Sequence, residues 1–185
     1  MPPNVTLEAF DQIVKHQYGS FSAEFEKLYP AKNAEEARQA LLLSGRDRDR
    51  VSMFLWASGR AKNHHQPVYT YFFDRAIPWP LHPEFGAFHG SELPYLFLNL
   101  DKLDRPWEAL DRRLAKSAAA YLKDFAAGGD PNGPGSAMWT PVHRDDPSTM
   151  ELGSRIGPMP IADQEPLSFW IRYLNAPEAL QAPPF

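Results

Sequence analysis

The sequence predicts an α/β protein that is rich in helix and poor in strand. Three observations carry that reading. Apolar residues recur at helical spacing through the first 65 residues. Residues 67–74, PVYTYFFD, form a β-branched and aromatic block with the composition of a buried strand. Residues 106–127 then give the clearest amphipathic helix in the chain, with Trp107, Leu110, Leu114, Ala118, Tyr121, Leu122 and Phe125 on one face.

Taken in order, Thr6 can cap a first helix whose Leu7, Phe10, Val14 and Tyr18 share a face, with Gly19 at its end. Ser20 can open a second, with Phe21, Phe25 and Leu28 aligned and Pro30 stopping it. Asn33 with Glu36 has the spacing of a capping box ahead of Ala37, Ala40 and Leu41. A fourth helix is expected over Asp47 to Lys62, its opening RDRDR a solvated first turn because the alternating signs cancel. After the strand at 67–74 comes a loop, then the long helix, which Pro106 opens and GGD closes. DPNGPG at 130–135 is a tight turn by composition. Thr149 to Leu152 and Met159 to Ala162 read as a weak strand pair. Gln164 to Leu174 reads as a last helix, and residues 176–185 as a proline-rich tail. One confident strand and a weak pair do not make a free-standing sheet, so the sheet is expected to be incomplete in this chain.

A chain of 185 residues suits one domain. A net charge of -4 and an isoelectric point near 5.8 argue against nucleic acid or an anionic membrane as the main partner. The absence of cysteine removes disulfides, thiolate zinc sites and a cysteine nucleophile. No apolar run reaches the length of a membrane span, and MPPNVTLEAF lacks the basic and apolar regions of a signal peptide. The prolines gather in 78–83, 131–141 and 177–184, which marks those stretches as loops or tail.

Six histidines are the candidates for chemistry. His64 and His65 fall at a helix end, where imidazoles meet the C-terminal dipole favourably and read as a solvated cap. His16, His82 and His143 read as surface residues. No pair has metal-ligand spacing, so no metal and no cofactor is expected. His89 stands apart. It lies in GAFHGSELPYLF (86–97), flanked by Gly86 and Gly90, soon after the predicted strand. Loops beyond strand ends are where α/β sheets gather function. A histidine there can serve as a general base, or can be an ordinary loop histidine bonded to backbone. Gly86 and Gly90 either shape the loop that presents it or simply make a turn. Glu92 reads as a carboxylate bracing the loop. The chain has no Gly-x-Ser-x-Gly, no HGGG-type segment and no phosphate-cradling loop.

GAFHGSELPYLF resembles the catalytic-histidine segment of the type B carboxylesterases, the cholinesterases and para-nitrobenzyl esterases among them. PVYTYFFD is similar to the strand that precedes it in that family. YLKDFAAGGDPNGPG (121–135), followed by MWTPV, resembles the family's late helix and Gly-Asp-Pro-Asn turn. TMELGSRIGPMPIA (149–162) resembles its closing hairpin. The four occur in family order over about residues 67–173; the helical first third is similar only in character.

The resemblance implies the C-terminal part of an α/β-hydrolase fold. It would comprise a helical region (1–65) followed by strand, histidine loop, long helix, closing hairpin and last helix (66–175). It implies a carboxylic ester hydrolase in which His89 is the triad histidine, general base and then general acid toward a serine, with Gly86, Gly90 and Glu92 supporting its loop. The serine, the oxyanion hole and the triad acid would all precede His89 on a segment outside this chain, as would any export signal. The implied partners are a small-molecule ester and that missing N-terminal segment. The other possibility is a catalytically inactive truncated remnant or a partner-binding module. The isolated chain is expected to be inactive.

Overall fold

The computed structural model describes residues 5–64 and 66–180; His65 and the tail residues 181–185 lie outside them, as does the side chain of His64. Two compact units emerge. One is built from the stretch up to Trp56 together with the stretch from Ile161 on, the other from Ala57–Pro160.

The first unit is helical. α1 (Leu7–Tyr18) begins at Thr6, whose hydroxyl accepts the Ala9 N–H at 3.1 Å, and Gly19 closes it by donating its N–H to the Lys15 carbonyl. A 3-10 turn (Gly19–Phe21) leads into α2 (Ser22–Leu28). α3 (Ala34–His64) starts at the expected box: Asn33 Oδ1 accepts the Glu36 N–H at 2.9 Å, and Glu36 reaches back to the Lys32 N–H at 2.8 Å. α3 then runs without a break through the third and fourth helices that the sequence predicts separately. Gly45, which lies between the two expected stretches, has no positive φ and nothing near its missing Cβ, so the helix passes it. RDRDR is therefore mid-helix and only partly solvated. Arg48 pairs with Asp49 at 2.7 Å, but Asp47 turns inward and accepts the Tyr29 hydroxyl at 3.0 Å.

α6 (Gln164–Leu174) has the bounds the sequence predicts. Its Phe169, Trp170 and Tyr173 fill the core of this unit against Phe10, Val14, Tyr18 and Phe25. Tyr18 stacks on Phe25 with ring centres 4.2 Å apart, and the remaining rings meet edge to face or tilted. The polar tips are satisfied: Trp170 Nε1 donates to Tyr29 Oη at 2.7 Å, and Tyr173 Oη donates to the Gln17 carbonyl at 2.9 Å. A 3-10 turn at Pro177–Leu180 occupies the first part of the expected tail.

The second unit carries the sheet, in the order β1-β2-β3. β1 (Tyr71–Phe73) runs parallel to β2 (Ser148–Leu152), with Tyr71 opposite Met150 and Phe73 opposite Leu152. β2 pairs antiparallel with β3 (Ile156–Pro160), Leu152 facing Ile156 and Ser148 facing Pro160. Two sequence expectations change here. The strand at 67–74 contracts to three residues and is half-exposed, because among the described residues it has a neighbour on one side only. The closing strand begins at Ile156, not Met159, because the hairpin turns over Gly153, Ser154 and Arg155, with Gly153 N–H donating to the Arg155 carbonyl at 3.1 Å.

Between β1 and β2 the chain forms the short α4 (Leu93–Leu96) and the long α5 (Ala109–Gly128). α5 starts three residues later than Pro106 suggests, since Asp111 accepts the Glu108 N–H at 2.8 Å and so fixes the first turn there. Gly129, at φ 76, ends it in the left-handed conformation. Leu114, Ala118 and Tyr121 of α5 pack with Tyr95, Trp139, Met150 and Leu152 as one core.

Candidate active site

His89 sits at the corner of a tight turn. The Ser91 N–H donates to the Phe88 carbonyl at 2.9 Å, closing Phe88-His89-Gly90-Ser91. Gly90, third in the turn, has φ 85, while φ at His89 is not positive. That pairing is a type II turn, which requires glycine or asparagine at the third place. The imidazole is exposed, and among the described residues nothing bonds to it. The backbone-bonded loop histidine weighed in the sequence is therefore not what this turn holds. A second positive φ, 54° at Gly86, lets the chain leave the 3-10 turn Pro83–Phe85, and the Gly86 carbonyl accepts the Ile77 N–H at 3.4 Å across the loop.

Glu92 contributes through its backbone: its carbonyl accepts the N–H groups of Tyr95 and Leu96, each at 3.0 Å, and begins α4. Its carboxylate makes no hydrogen bond among the described residues, although its charge adds to burial in raising the pKa of Tyr71. Ser91, by contrast, is buried with its hydroxyl unpartnered among the described residues. The other histidines stay peripheral: His82 Nδ1 lies 3.1 Å from Glu84 Oε1 in an aromatic group with Trp79 and Phe85, and His143 is exposed. Among the described residues no three His, Asp or Glu side chains gather as a metal would need.

The strongest feature near the loop has no signature in the sequence. Asp111, 0% exposed, accepts four hydrogen bonds: Arg75 Nε at 2.7 Å, Arg75 Nη2 at 3.2 Å, Tyr95 Oη at 2.8 Å and the Glu108 N–H at 2.8 Å. Burial alone would raise the Asp111 pKa. The Arg75 guanidinium, the Glu108 amide and the Tyr95 hydroxyl outweigh it and hold the carboxyl below its usual range. Tyr95 moves the other way, its hydroxyl pushed well up by burial and then by Asp111. Arg75 also reaches Glu108 Oε2 at 2.8 Å. Tyr95 is wedged between Phe73 and Trp107, with ring centres 5.1 and 5.8 Å away.

Comparison with known proteins places these features in context. The model of the carboxylesterase family matches residues 5–170. Over 106 residues, 54% of this chain, the sequence is 33% identical to bovine (Bos taurus) bile salt-activated lipase, of which that stretch is 18%. It is 34% identical to the para-nitrobenzyl esterase of Bacillus subtilis, again over 54% of this chain and 21% of that protein. Human cocaine esterase is 30% identical over 62% of the chain and 21% of its own length. The chain thus spans about a fifth of the curated relatives it matches. Among the described residues no helix is long and apolar enough to cross a membrane.

Proposed function

Since the chain belongs to the carboxylesterase family, we propose that it is the C-terminal part of an α/β-hydrolase that cleaves carboxylic esters, and that it supplies the catalytic histidine, His89. The observation that carries this reading is the turn itself. It projects an exposed, unbonded imidazole from a loop that begins where β1 ends and is shaped by Gly86 and Gly90. A neutral imidazole so placed can take the proton of a serine hydroxyl as that oxygen attacks the ester carbonyl, then give it to the departing alkoxide. In deacylation it takes a proton from water and returns it to the serine. The serine, its oxyanion hole and the carboxylate that orients the histidine belong to a segment outside this sequence, where the greater part of the relatives' length lies.

The test is to co-express the chain with an upstream esterase segment bearing a Gly-x-Ser-x-Gly elbow and to assay a chromogenic ester. Loss of a general base lowers turnover by about 10²–10⁴-fold, so His89→Ala is expected to remove nearly all activity. Activity that survives this change sinks the assignment.

A second reading, an inactive chain that binds a partner, draws on the edge position of β1 in the sheet of the described residues and on the exposed Leu81, Phe85, Phe88, Phe97 and Leu98 of the same unit. An edge strand beside apolar surface invites association. On this reading the purified chain self-associates and no upstream esterase segment restores hydrolysis. A monodisperse, cooperatively unfolding monomer excludes it.

A further inference from the structure

We propose that Asp111, through Arg75 and Tyr95, is a positioning residue for His89: one buried carboxylate clamps both ends of the loop that carries the histidine. The inference deepens the reading of His89 as the catalytic histidine and rests on it.

The loop leaves the sheet at Arg75, just past β1, and rejoins the core at Tyr95 in α4. Residues 76–94 between them contain one 3-10 turn and the start of α4. Ile77 sits in the core, Ser91 is buried, the Ile77 N–H bonds the Gly86 carbonyl, and Trp79, His82, Phe85 and Phe88 pack on one another with Arg105 4.0 Å over the Trp79 ring. Those contacts order the middle of the loop. Its two ends, however, bond the same group: Arg75 Nε and Tyr95 Oη both donate to Asp111 Oδ1, at 2.7 and 2.8 Å. Arg75 Nη2 and the Glu108 N–H fill Oδ2, at 3.2 and 2.8 Å, so the acceptor capacity of the carboxylate is used in full. Because Glu108 and Asp111 form the first turn of α5, the clamp is mounted on the longest rigid element of this unit.

Stability alone is a poor account of such a group. Burying an ion pair costs desolvation that its attraction only partly returns, and apolar residues of similar size often serve as well or better. What the fork of Arg75 and the directed Tyr95 hydroxyl add is a single geometry. The loop ends are fixed relative to α5, and His89, six residues before Tyr95, is fixed with them.

Two variants of the 185-residue chain test this by amide hydrogen exchange, with each followed by the reconstituted ester assay. Tyr95→Phe removes one tether and no bulk. Arg75→Met with Asp111→Leu and Tyr95→Phe replaces the whole clamp by apolar groups. Exchange at Ser91 and Leu93, whose N–H groups bond within the histidine turn, is expected to quicken at least ten-fold in both, while the β2–β3 amides stay protected. In the assay kcat is expected to fall at least ten-fold with KM changed less than two-fold, since the histidine is misplaced and the ester site is intact. Loop exchange that is unchanged in folded Tyr95→Phe overturns the proposal, and so does a loss of protection that is uniform across the unit. The two readings fail separately. If His89→Ala leaves hydrolysis intact while the clamp variants loosen the loop, His89 is not the base and the clamp remains a loop tether. If His89→Ala abolishes hydrolysis while Tyr95→Phe alters neither exchange nor kcat, His89 stands and the clamp does not.

Discussion

Asn132 and Trp139 hold each other by a pair of reciprocal hydrogen bonds. The Trp139 N–H donates to Asn132 Oδ1 at 2.7 Å, and Asn132 Nδ2 donates to the Trp139 carbonyl at 3.0 Å. The side-chain amide thus does what a neighbouring strand would do for that stretch of backbone. Trp139 is fastened at its other end, where Nε1 donates to the Thr70 carbonyl at 3.1 Å, one residue before β1. Tyr69, Tyr71 and Tyr121 pack edge-on around it. The turn after α5 is in this way tied to the strand that leads into the histidine loop.

Removing that amide leaves a half-buried backbone N–H and C=O unpaired. Asn132→Ala is expected to lower stability by about 1–3 kcal/mol, the cost of orphaning such groups. Urea unfolding followed by tryptophan fluorescence measures it. A change within the noise of neutral surface substitutions, about 0.5 kcal/mol, would mean that the turn is held by Asp130 and its prolines alone.

In the helical unit Tyr29 is both acceptor and donor, receiving Trp170 Nε1 at 2.7 Å and giving its own proton to Asp47 at 3.0 Å. Burial is the main reason its pKa is raised, so the hydroxyl stays protonated and able to donate at all ordinary pH. Tyr29→Phe keeps the ring but removes the partner of Trp170 Nε1 and of Asp47 Oδ2, while Arg46 still reaches Asp47 Oδ1 at 3.4 Å. We expect a loss of about 1–3 kcal/mol, read as a shift of the unfolding midpoint with unchanged slope. Tyr29→Phe with Asp47→Leu should recover part of it, because no buried carboxylate oxygen is then left without a donor. Absence of any recovery would show that the loss comes from elsewhere.

What was legible in the sequence follows from which forces are local. α1 and α6 could be read because Thr6, Gly19 and the apolar spacing of Phe169, Trp170 and Tyr173 settle helices over a few residues. That the glycines flanking His89 make a turn was legible, because a type II turn demands glycine or asparagine at one place in four consecutive residues. The break expected between the third and fourth helices is absent, since Gly45 between them needs no positive φ and glycine is only a weak breaker there. The strand at 67–74 was read as longer and more buried than β1 is, because β-branched composition says what a strand can be and its neighbours say how much of it is one. Asp111 escaped entirely. In EALDRR it resembles a solvent-facing helix charge, and its partners stand 36 and 16 residues away with no spacing rule to join them.

The depressed pKa of Asp111 has a sign that can be checked. Its folded value lies below its unfolded one, near the ordinary aspartate value of about 3.9. The stabilisation it gives is therefore complete above that value and is lost as pH falls through the lower, folded one. Below about pH 4 its contribution to stability begins to fall. Asp111→Asn has no carboxyl to titrate there, so the stability gap between the two proteins should be widest near pH 7 and narrow toward pH 3. Urea midpoints across that range give the answer. Parallel curves for the two proteins would mean that Asp111 titrates alike in both states, contrary to its bonding.

Gly45 and Gly90 lead to opposite expectations for the same substitution. At Gly45, inside α3, nothing lies within 4 Å of a built Cβ and φ is not positive. Gly45→Ala is then expected to stabilise by about 0.5–1 kcal/mol, the usual advantage of alanine within a helix. At Gly90 the space is also adequate, the nearest atom being Leu93 Cδ1 at 3.9 Å, but φ is 85. Any Cβ there is strained by the backbone itself, at about 1–2 kcal/mol. Gly90→Ala is expected to destabilise, and Gly90→Asn to do so less, because asparagine tolerates this turn position better than alanine. If the turn instead flips to relieve the strain, global stability will change little. The Ser91 amide, which depends on that turn for its bond to Phe88, will then lose protection. Thermal melts with amide exchange at Ser91 separate the two results. Equal effects at Gly45 and Gly90 on both measurements would mean that His89 is not carried by a type II turn.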